Sequence, residues 1–73
     1  MALVVQLTRM KILRVAWRIT REHPLAEDAA QATYLEAFRH AHRFDPARRV
    51  TAWLAGIAAN QARLTMRRRR RLD

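Results

Sequence analysis

The stretch Phe44-Asp45-Pro46-Ala47-Arg48-Arg49-Val50 decides how this sequence of 73 residues folds. Asp45-Pro46 makes a turn or a short helical start, with the aspartate as cap and the proline directly behind it. On both sides of this break, apolar residues recur at helical spacing. After it, Thr51 reads as the cap of a helix over 52–70, with Trp53, Leu54, Ile57, Ala58, Gln61 and Leu64 facing inward. Before it, residues 25–43 read as a second helix. Glu27 and Asp28 sit in the first turn of that helix, at the positive end of its dipole, and Arg39 and Arg43 lie towards the other end. Its inward stripe is Ala26, Ala30, Thr33, Tyr34, Ala37, Phe38 and Ala41. His23-Pro24 closes an earlier helix over 2–22, because the residue before a proline is pushed out of the α region. In that helix Leu3, Leu7, Met10 and Trp17 form one apolar line. Val5, Ile12, Ala16 and Ile19 form a neighbouring one. Arg9, Lys11, Arg14, Arg18 and Arg21 fall largely outside both. The expectation is an all-α three-helix bundle over residues 1–73, with the first two helices antiparallel and the third crossing them.

Composition agrees with few, closely packed helices. Of 37 apolar residues, 14 are alanine, so close helix contact must replace large side chains. A chain of this length buries only about 60% of the surface its unfolded form exposes. One glycine and two prolines are too few turn residues for a many-stranded sandwich or barrel. The absence of cysteine excludes disulfides and thiolate zinc sites. No apolar run approaches the roughly 18 residues of a membrane span, and no secretory signal is visible.

Charge is the strongest compositional signal. Fifteen basic residues face six acidic ones, a net of +9. Residues 1–42 carry six basic and four acidic side chains, and residues 43–73 carry nine and two. A basic C-terminal half points to a polyanionic partner, nucleic acid first and an anionic membrane surface second.

Enzymatic constellations are missing. Glu27 and Asp28 are adjacent, so they diverge by about 100° on a helix and do not converge on one substrate. No glycine-rich phosphate loop is present. His40 and His42 are two apart, unlike the i, i+4 spacing of helical zinc sites, and read as surface histidines. The run Arg67–Arg71 fits phosphate attraction, which fixes position and salt dependence without reading bases. Asn60, Arg63 and Arg67, spaced by three and four, share one helix face beside the loop. An asparagine and arginines so placed suit single-stranded or flipped bases. Phe44 and Asn60 fit equally well as a core aromatic and a surface amide, and Trp53 reads as core.

Three motifs in order then carry a family resemblance. They are Ala26-Glu27-Asp28-Ala29-Ala30-Gln31-Ala32-Thr33-Tyr34-Leu35, then Arg43-Phe44-Asp45-Pro46, then Thr51-Ala52-Trp53-Leu54-Ala55-Gly56-Ile57-Ala58-Ala59-Asn60, followed by the arginine run. Together they resemble region 2 of bacterial sigma factors, most nearly the extracytoplasmic-function (ECF) group. Three positions depart from the family pattern. Leu25 and Ala32 stand where acids are usual, and Gly56 stands where a larger or basic residue is common.

The resemblance implies a cytoplasmic bacterial transcription-initiation factor that binds core RNA polymerase and promoter DNA. The second helix would dock on the clamp helices of the largest polymerase subunit through Asp28, Gln31 and Tyr34, with Leu35 and Arg39 beside them. The loop and third helix would hold the melted, single-stranded −10 element, taking a flipped base into a pocket. The matching residues are Phe44, Asp45, Arg48, Arg49, Val50, Asn60, Arg63, Arg67 and Arg68. No catalysis, cofactor, metal, small-molecule substrate or membrane partner is implied. The family's second domain, a helix-turn-helix that binds the −35 element, is not in this sequence. An alternative is a sigma-like module that binds an anti-sigma factor without touching the promoter, although the arginine tail argues against it. A basic amphipathic first helix lying on a membrane is a third reading, disfavoured because three cooperating helices are visible.

Overall fold

A computed structural model describes residues 2–72. It is three helices, α1 (Ala2–Thr20), α2 (His23–Arg39) and α3 (Val50–Leu72), with a single 3-10 turn over Ala41–Arg43. The all-α expectation holds. Among the described residues there is no strand, and no helix is long and apolar enough to cross a membrane.

The helix ends differ from the sequence reading, each for a local reason. α1 stops at Thr20, because Arg21 adopts φ 57, the left-handed cap conformation. The Arg21 guanidinium lies 4.5 Å from the Trp17 ring centroid, a cation–π contact that helps hold a conformation costly for a residue with a Cβ. Pro24 therefore opens α2, where its missing N–H costs nothing, and does not end α1. α2 ends at Arg39, four residues early, and the chain tightens into the 3-10 turn. Thr51 is not a cap. The first bond of α3 runs from the Trp53 N–H to the Arg49 carbonyl (3.1 Å), which places Thr51 inside the helix.

α1 and α2 are antiparallel, pinned by a bond between the Thr8 and Tyr34 hydroxyls (2.7 Å) and by Arg9–Glu27 (3.6 Å). α3 does not simply cross this pair. It lies along both, meeting Val4 at its start and Ile19 towards its end. The core has two clusters. One is Ile12, Ala30, Ala37, Leu54 and Ala58, and the other is Ala16, Ala26, Ala29 and Ala62. Alanine dominates both, so the helices approach closely, as the composition required.

Two inward assignments are corrected. Leu3, Leu7 and Met10 are 66–76% exposed, and Trp17 is 36% exposed. Of the neighbouring line, Ile12 and Ala16 are buried as expected, and Thr8 and Thr20, assigned to neither line, are buried with them. The Thr8 hydroxyl donates to the Val4 carbonyl (2.6 Å), so its burial leaves no orphaned donor. On α2, Phe38 is 70% exposed while Ala29 joins the core, and Ala41, now in the 3-10 turn, is exposed. Both corrections share a cause. Small residues make the interior, so the largest apolar side chains no longer mark the inward face.

Candidate nucleic-acid and protein interfaces

The break between α2 and α3 is a turn built on Asp45. The Ala47 N–H donates to its carboxylate (2.9 Å) and the Arg48 N–H to its carbonyl (2.9 Å), as expected of an aspartate cap. This turn fixes what flanks it. Phe44 packs on Trp53 with ring centroids 4.9 Å apart and planes tilted by 45°. Both rings are half-buried and wall an apolar cavity of about 150 Å³ together with Val50, Leu54 and Tyr34. Arg48 and Arg49 are exposed on the turn. Of the loop candidates, Phe44 and Val50 therefore meet in one cavity, Asp45 shapes the backbone, and the two arginines face solvent.

Trp53 begins a stripe on α3. Gly56, Asn60, Arg63, Arg67 and Arg71 follow at intervals of three and four, within about 40° of a common line. All five are exposed. A Cβ at Gly56 would meet nothing within 4 Å, so the surface between the tryptophan and the asparagine is open. Arg63 and Arg67 share a surface depression of about 300 Å³ with Ile19, Met66 and Arg70. Arg70, absent from the sequence-predicted set, was legible as the residue seven after Arg63.

The charges are sorted between faces. Glu27 pairs with Arg9, Glu36 with Arg39 (3.1 Å) and with His40 (3.3 Å), and Glu22 with Arg69. Among the described residues, no carboxylate lies within ion-pair distance of Arg48, Arg49, Arg63, Arg67 or Arg70. Uncompensated charge therefore runs along the loop and the α3 stripe, where it attracts polyanions, and a separate set, Lys11, Arg14 and Arg18, lies on α1.

The arginine run is not a uniform frayed tail. Helix continues to Leu72, and Arg69 ties α3 to the α1–α2 connection through Glu22. Arg68 turns away from the Asn60 line. It lines a groove of about 460 Å³ between α2 and α3 with Leu25, Asp28, Ala32 and Leu72. Asp73, the last residue of the expected basic end, lies outside the described residues. His40 is half-buried, which corrects its reading as a surface residue. Among the described residues, no cluster of histidine and carboxylate side chains could hold a metal ion.

The α2 candidates divide as well. Gln31, Tyr34 and Leu35 line an apolar groove of about 520 Å³ with Val5 and Phe38. Leu35 is 67% exposed there. Asp28 instead faces the α2–α3 groove beside Arg68, and Arg39 is exposed and paired with Glu36. Phe38 was missed because it was assigned to the core, although it stands three residues after Leu35 and seven after Gln31.

The sigma-70 region 2 family model matches residues 4–72. The RNA polymerase sigma factor CarQ of Myxococcus xanthus is 45% identical over 56 residues, covering 77% of this chain. The chain spans about a third of that relative's length, 32%. No solved structure matches. The matched residues take in all three helices and the Asp45 turn, and the chain belongs to the sigma-70 region 2 family.

Proposed function

We propose that this chain is the promoter-recognition module of an ECF-type sigma factor, acting by binding alone. The observation that carries the reading is the exposed line Asn60, Arg63, Arg67, with no carboxylate partner among the described residues, leading from the Phe44–Trp53 pair. Arg63, Arg67 and Arg70 would hold successive phosphates of the unpaired −10 strand. The half-buried aromatic pair offers ring surface at the other end, and stacking on such surfaces contributes about 1–3 kcal/mol per base. That offsets the few kcal/mol needed to take a base out of the stack. Asn60, about 10 Å beyond Trp53 along α3, carries both a donor and an acceptor and is the base reader. Arg48 and Arg49 would extend the phosphate track over the loop.

The α2 groove would receive the clamp helices of core RNA polymerase. Exposed Leu35 and Phe38 support a protein partner at that place, since a solvent-facing apolar pair beside polar Gln31 suits a helix laid into a groove.

The test is equilibrium binding to an unpaired strand and to the duplex of the same sequence. The strand binds more tightly, and Asn60→Ala loses about tenfold on the preferred sequence and little on a scrambled one. Equal loss on every sequence would remove Asn60 as a reader.

A further inference from the structure

The outward line of α1 has no role in that reading. Leu3, Leu7, Met10, Arg14 and Trp17 repeat at intervals of four and three, the spacing of a coiled-coil seam. The line lies outside the buried core, its leucines and methionine about two-thirds or more exposed, with Trp17 at its end leaning on His23 of α2 (ring centroids 6.4 Å apart). Met10, Arg14 and Trp17 also line a surface groove of about 340 Å³ with Leu13 and with His23, Ala26 and Glu27 of α2. α1 carries no acid over Ala2–Thr20. Lys11 and Arg18 lie along one edge of the line, on the side away from Leu13 and Glu27, and Arg14 lies within it. Among the described residues, none of these three cations has a carboxylate within ion-pair distance.

We propose that this line is a docking seam for an acidic amphipathic helix of a partner protein. The apolar positions would interdigitate with the partner's apolar seam. Lys11, Arg14 and Arg18 would meet carboxylates along the one flank that faces them. Charge selects this occupant over a second copy of the chain, since two such faces would bring six uncompensated cations together. Seam width selects it over a lipid surface. A membrane-lying helix sinks a broad apolar face into the headgroup boundary, whereas this line is narrow and has an arginine at its middle. The seam shares no residue with the α2 groove or the α3 stripe, so it can be occupied together with either.

The test titrates the full chain with a short designed helix carrying leucine at its seam positions and glutamate on the one flank that would face Lys11 and Arg18. A second peptide has lysine on that flank. The glutamate peptide binds and the lysine peptide does not. Leu7→Asp, at a position 76% exposed and so compatible with folding, weakens binding by about tenfold or more. Arg14→Glu weakens the glutamate peptide and admits the lysine one. Leu35→Asp, in the α2 groove, changes neither, and far-ultraviolet circular dichroism checks that each variant stays helical. The proposal is overturned if both peptides bind alike or if Leu7→Asp has no effect. It is also overturned if anionic phospholipid vesicles capture the chain through this line more tightly than the glutamate peptide does, or if the chain dimerises through it.

Discussion

Replacing Arg63, Arg67 and Arg70 together by alanine should flatten the salt dependence of binding to an unpaired DNA strand. The three guanidinium groups border one depression on α3, and each would neutralise one phosphate. On single strands, each phosphate contact contributes about −0.7 to the slope of log affinity against log salt. Three contacts therefore supply about −2. Between 50 and 200 mM salt that is roughly a 20-fold change in affinity, which the triple variant should lose. Fluorescence anisotropy of a labelled strand over a salt series reads this directly. The structure adds a sharper control than deleting the tail. Arg68 faces the α2–α3 groove, and Arg69 holds Glu22. Arg68→Ala and Arg69→Ala should each leave the slope nearly unchanged, although both remove the same formal charge. If either changes the slope as much as one of the three, the run acts by proximity alone and the stripe is not a track.

Three further variants test the scaffold. Leu54→Ala removes a side chain 1% exposed at the junction of all three helices. It should cost about 2–5 kcal/mol, comparable to the roughly 3–5 kcal/mol that a core of this size supplies, so circular dichroism should show an unfolded chain at room temperature. Gly56→Ala adds a methyl into open space within a helix and should raise stability by about 1 kcal/mol; a lower melting temperature would contradict the exposed placement. Thr8→Val severs the hydroxyl bridge to Tyr34 and should cost about 1 kcal/mol in urea unfolding, while an unchanged midpoint would mean the bridge contributes nothing.

Helix number, helix order and the position of the break were legible because they rest on period and on the Asp45-Pro46 turn. The inward face of α1 was half legible: Ile12 and Ala16 of its second apolar line are buried as expected, but Leu3, Leu7, Met10 and Trp17, which carry more apolar surface, are left outside while Thr8 and Thr20 go in. In an alanine-lined interior, small residues and threonines that bond to their own helix permit close approach, and bulk is left outside. Phe38 was misplaced by the same reasoning. Arg21 escaped notice because a left-handed cap without glycine leaves no compositional mark, and its support, the Trp17 ring, lies one turn back. The α3 stripe was legible because a straight helix maps sequence spacing onto one face. The split of the α2 candidates between two grooves was not, since it depends on where α1 and α3 lean against α2.

The most direct measurement is a titration of the isotope-labelled chain with an unpaired DNA strand, followed by backbone amide and arginine side-chain chemical shifts. The account expects the largest changes at Phe44, Arg48, Trp53, Asn60, Arg63 and Arg67, all saturating at one strand concentration, with α1 silent. Shifts confined to Arg68–Leu72, or spread evenly over every exposed cation, would contradict it.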